Sequence, residues 1–175
     1  MRFREPGDGP VPQLPDFARR VEEFPGPVAI ADVLPPGTMA LCGGEESDGH
    51  PWALHVTYAT ESRDVLRVRT VRGSQDWTPV IRTVEDLATA MHAHGTAPGL
   101  ATTMTVDGLP VQGTRIDLPG RSGVQLDWQG QRVFCIGDRE LIDSLELRTG
   151  TGADFAEFMA VFAEFVARRR RGRQD

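Results

Sequence analysis

The chain has 175 residues, 39% apolar and 25% charged, with 19 basic against 25 acidic residues for a net charge of −6. That length scales to burial of ~70% of the unfolded surface, which suits one compact core and excludes a disordered or fibrous chain. No apolar run approaches the ~18 residues that span a bilayer, and the opening MRFREPGDG lacks the apolar centre of a secretory signal, so no membrane role is expected.

Every basic residue is arginine, and asparagine is absent too. Both missing residues have AT-rich codons, which points to a GC-rich bacterial coding sequence. Their absence removes Schiff-base lysine chemistry, a P-loop lysine and N-glycosylation. The two thiols, Cys42 and Cys135, are too few for a disulfide framework and imply a reduced, cytoplasmic setting.

Residues 1–13 are rich in proline and glycine and read as a flexible arm before a single domain over 14–171, with 172–175 as a short tail. Pro15 suits a first helical turn, and Phe17, Val21 and Phe24 form one stripe, so a short helix is predicted up to Pro25-Gly26-Pro27. Short strands are expected over 28–33 and 38–42. The polar stretch 43–51, GGEESDGHP, reads as a loop. Trp52, Leu54, Val56 and Tyr58 then alternate with smaller or polar residues, and 65–72 alternates again, which predicts a hairpin.

A connection over 73–82 contains Trp77 before Pro79. Thr83 as cap, Asp86 three residues on and Gly95 beyond the end predict a helix over 83–94. From 100 to 136, the turn pairs Asp107-Gly108, Pro119-Gly120 and Gln129-Gly130 separate four alternating segments, a β-meander. Residues 141–148 fit either a strand or a helix. Thr151 caps a last helix over 152–170, with Phe155, Phe158, Met159, Phe162, Phe165 and Val166 on one stripe and four arginines in its last turn. An offset of 68 residues overlays Thr83, Asp86 and Met91 on Thr151, Asp154 and Met159, and Val56 and Val68 on Val124 and Ile136. Two related hairpin-plus-helix units are one reading of that match.

The predicted class is therefore α+β, a mostly antiparallel sheet of six to eight strands with the 83–94 and 152–170 helices on one face. Candidate chemistry is sparse. Cys42 precedes Gly43-Gly44 and could be a nucleophile with His50 or His55 as base, but no nucleophile elbow or following helix accompanies it. Asp107 is accounted for by its turn, and Asp127 should face solvent. His92 and His94 diverge on a helix, and Glu45, Glu46, Asp48 and His50 match no calcium loop, so neither a metal nor any other cofactor is expected.

Charge supplies the sharper feature. Arg168, Arg169, Arg170, Arg171 and Arg173 end a chain whose remainder carries −11. The acidic total and the absence of a nucleic-acid-binding signature argue against nucleic acid. Trp77, an aromatic in a loop, and the arginines of the terminal helix are the candidate binding residues, as anchor and charged rim of a protein interface. The order of elements resembles that of small chaperone-like and immunity-type interaction domains, though no motif carries residues across. The expected function is a non-catalytic module that binds a protein partner or its own copy. The alternative is a small enzyme or ligand binder using a sheet–helix pocket near Cys42, His50, His55 and Asp127.

Overall fold

The computed structural model describes residues 14–73 and 100–171. The predicted N-terminal arm, the 83–94 helix and Trp77 lie outside the described residues. Within them the chain folds as α1 (Leu14–Glu23), β1 (Ala29–Ala31), β2 (Met39–Ser47), β3 (His50–Ala59), β4 (Asp64–Arg72), β5 (Leu100–Val106), β6 (Leu109–Leu118), β7 (Arg121–Trp128), β8 (Gln131–Asp138), α2 (Arg139–Asp143), β9 (Glu146–Thr149) and α3 (Gly152–Arg171).

All nine described strands join one sheet in the order β1-β9-β5-β6-β7-β8-β4-β3-β2, curled into half a barrel. The class is α+β, but the sheet exceeds the six to eight strands expected from sequence. It is also mixed, because β9 runs parallel to β5, pairing Glu146 with Thr105 and Leu147 with Val106. The segment 141–148, which fitted two states, is split between them. Leu141 lies in α2 and Leu147 in β9.

Four two-residue turns set the hairpin registers, with Pro119-Gly120 joining β6 to β7. Asp48-Gly49, Asp107-Gly108 and Gln129-Gly130 all have positive φ at both positions, the backbone whose twist matches paired strands. The first of these corrects the sequence reading. Residues 43–47 are strand, not loop, and Ser47 opposes His50 across the turn. Near that end Glu45 opposes Ala53 and Glu46 opposes Pro51, so Trp52 is the extra residue of a bulge. It packs with Ala53, Val71 and Phe134 on the convex face, with the Arg69 guanidinium 5.3 Å from its ring centre.

The concave face carries the main core. Leu54, Val56 and Tyr58 of β3, Leu66 and Val68 of β4, Val124 and Leu126 of β7, and Val133 and Cys135 of β8 are buried together there. Phe17 of α1, Phe24 just beyond its end, and Phe155 and Phe158 of α3 cover them. Phe155 meets Phe17 edge-on at 5.6 Å between ring centres, and Phe158 meets Tyr58 at 6.5 Å. A capping box starts α3 as the sequence implied, with Asp in place of Glu. The Thr151 hydroxyl accepts from the Asp154 N–H, and the Asp154 carboxylate accepts from the Thr151 N–H. Arg148 donates two hydrogen bonds to the same carboxylate, which holds it well below the usual carboxylate range.

The curl brings the β1 edge round to β4 and β3, near the far end of the strand order. The Ala29 N–H of β1 donates to the Thr70 hydroxyl of β4, and the Ala31 N–H donates to the Tyr58 hydroxyl of β3, both at 2.9 Å. Edge groups that would otherwise be unpaired are thus satisfied in the interior.

The 68-residue overlay fails at this level. Val56 opposes Val68 in the first hairpin, whereas Val124 opposes Cys135, not Ile136, in the second. Residues 60–63 join β3 to β4 while two residues join β7 to β8, so a constant offset cannot hold across both turns. Leu66 consequently belongs to the concave core, and its overlay counterpart Phe134 to the convex cluster.

Candidate interaction surface

The four residues of the small-enzyme alternative are not brought together. Cys42 opposes Val56 and packs against the concave core. His55 opposes Gly43, and its ring lies against that glycine on the convex side, so thiol and imidazole are on opposite faces. Burial pushes the Cys42 thiol up to about 12, away from thiolate reactivity. Burial, followed by the nearby charges of Arg67 and Arg69, pushes His55 down to about 4. His50 is exposed beside the β2–β3 turn. Asp127 is exposed on β7, three strands away from β3, and pairs with Arg132 at 3.0 Å.

The acidic stretch is likewise absorbed by arginines. Glu45 pairs with Arg69 at 2.7 Å, and Glu46 with Arg20 at 2.7 Å and Arg19 at 3.2 Å. Among the described residues no group of three or more His, Cys, Asp or Glu side chains is placed to hold a metal ion. No described helix is long and apolar enough to cross a membrane.

Two surface depressions stand out. A groove of about 270 Å³ lies between the β1–β2 connection, including Val33 and Leu34, and Leu141 and Leu145 beside β9. An open depression of about 530 Å³ is rimmed by Arg63, Arg121, Arg139, Asp138 and Glu140. In it Arg63 grips the Asp138 carboxylate through two hydrogen bonds at 2.8 and 2.7 Å. Neither contains a residue of the enzyme alternative.

The most distinctive surface is at the β2 margin. Helix α1 packs on β3 and β2, while α3 packs on β2 and on α1, which makes α3 the outermost helix above that margin. The buried residues of α3 are confined to its first half, Phe155, Phe158 and Met159. Beyond them Phe162, Phe165 and Val166 are only half-buried, and Val161 is 47% exposed. The apolar stripe of α3 therefore outruns the core beneath it. This also corrects the uniform burial its periodicity suggests for Phe158 and Phe162.

The arginines of the last turn, Arg168, Arg169, Arg170 and Arg171, are all exposed. Arg168 pairs with Glu164, and the Arg169 guanidinium lies 5.1 Å from the Phe165 ring centre. Below the helix runs the outer edge of β2, which pairs with no other described strand. Its first six residues, MALCGG over 39–44, carry no charge and no proline. The sequence reading ends this strand at Cys42 and so hides the length of the edge. Asp48-Gly49, a strong hairpin signal, is the clue that it continues.

Comparison with family models, curated proteins and solved structures finds no match to this chain.

Proposed function

We propose that the chain is a non-catalytic interaction module that docks a protein through the distal half of α3 and the adjoining edge of β2. One observation carries the reading: an aromatic helix stripe continues past its own core, directly above a long sheet edge with no described partner strand. Half-buried Phe162, Phe165 and Val166 with exposed Val161 supply an apolar centre, and the four terminal arginines supply a charged rim. The rim should govern association rate and salt dependence, the apolar centre dissociation.

The test uses the full chain with Val161 and Phe165 both changed to Glu. Two readouts are needed, retention of a second, differently tagged copy on co-expression and retention of other proteins from extracts of the source cells. The variant should unfold within about 1 kcal/mol of the parent, because neither side chain is fully buried. It should also lose whatever the parent retains. A parent that retains nothing, or a variant that retains the same proteins, overturns the reading.

A further inference from the structure

We infer that the occupant of this surface is a second copy of the same chain, joined by antiparallel pairing of β2 with the other copy's β2 about a two-fold axis. The inference rests on the interaction-module reading and names its partner.

The two edges of the sheet are treated differently. β1 has three residues, and its outward N–H groups are capped by Thr70 and Tyr58. β2 has nine residues, and its neutral run over 39–44 offers a ladder of ~20 Å at about 3.4 Å per residue. Natural sheets guard such edges with charge, proline or bulges, because an open ladder recruits another strand. On β2 the charges are confined to one end, at Glu45 and Glu46, beside the bulge at Trp52 of β3.

The symmetry of the contact then selects the occupant. A two-fold axis normal to the joined sheet keeps both concave faces on one side. Both α3 helices then stand on that side, flanking the new β2–β2 ladder, so their half-buried apolar stripes are covered by the operation that pairs the strands. A single extended peptide would fill the edge, leave the helix stripe uncovered and present a new open edge of its own. The two-fold contact closes on itself.

Charge agrees with this arrangement. Antiparallel pairing centred on either Leu41 or Cys42, each opposite its own copy, sets Glu45 and Glu46 of the two copies at opposite ends of the ladder. Parallel addition would set like charges side by side.

Sedimentation equilibrium of the full chain, over a wide concentration range, should give about twice the 19.2 kDa mass of one chain. Hydrogen exchange should show the outward-facing amides of residues 40–44, every second one along the strand, becoming protected as concentration rises, while those turned towards β3 are protected throughout. Leu41→Lys on the strand and Val161→Glu on the helix should each weaken the dimer at least about tenfold while leaving the circular dichroism unchanged. Val161→Glu lies outside the sheet and decides the matter if Leu41→Lys fails to fold. A single-chain mass throughout overturns the inference, as does a dimer without protection of the β2 amides or one that Val161→Glu leaves intact. A single-chain mass with another protein still retained through Val161 and Phe165 removes the second copy but leaves the interaction module standing.

Discussion

Gly43 and His55 show how a candidate base becomes a packing element. A Cβ at position 43 would lie 2.5 Å from His55 Nε2, so the imidazole rests where only glycine leaves room. Burial there disfavours the charged ring and pushes its pKa down to about 4, from about 6.5 in the unfolded chain. The direction of the pH effect follows. Below about pH 6.5 the unfolded state takes up a proton that the folded state refuses, so stability falls with pH until about 4, where the folded ring also charges. Urea unfolding at a series of pH values should therefore show His55→Gln losing less stability than the parent across that window. Equal losses in parent and variant would place the ring in a water-like environment.

At the scale of one element, α3 has two unlike halves under a single sequence pattern. Phe158 is 6% exposed and touches both Tyr58 and Phe155, while Phe162 is half-buried. Phe158→Ala should cost roughly 3–5 kcal/mol, the usual range for an aromatic deleted from a site that cannot collapse. Phe162→Ala should cost the isolated chain only about 1 kcal/mol, since part of its surface is already in water. Denaturant unfolding of both variants at low concentration makes the comparison. Equal, large losses would mean that the distal stripe is core and would withdraw the apolar centre from the proposed surface.

At the scale of the molecule, stability depends on closing a curved sheet. Tyr58 sits in the concave core on β3, and its hydroxyl accepts from the Ala31 N–H of β1, at the opposite end of the strand order. That environment raises the phenol above its ordinary range, chiefly through burial, so the hydroxyl stays neutral at any ordinary pH. Tyr58→Phe leaves a buried N–H without its acceptor and should cost about 1–3 kcal/mol. Hydrogen exchange should find the loss concentrated in β1, with Ala31 exchanging faster and the β7–β8 hairpin unchanged. Uniform acceleration across the sheet would show that β1 is not held independently by this bond.

Most of the local structure is legible in short stretches of the chain. Alternation in 54–58 and 124–128 marks strands half covered by a core, turn pairs such as Gln129-Gly130 need positive φ, and Thr151 with Asp154 opens a helix. Each signal depends only on neighbours along the chain. Trp52, which the pattern puts on the same face as Leu54, is turned to the other face by its bulge. The same locality misled at GGEES, where glycines and acids resemble a loop. There β2 is held by pairing with β3 and by Arg20 and Arg69, which neutralise Glu46 and Glu45 from other elements. Local pattern likewise could not fix the parallel pairing of β5 with β9, the return of β1 to Thr70 and Tyr58, or the sheet face each residue takes. The surface at β2 and α3 belongs to that class. A helix stripe reads the same over core or over solvent, and only the limited width of the sheet beneath α3 decides where burial ends.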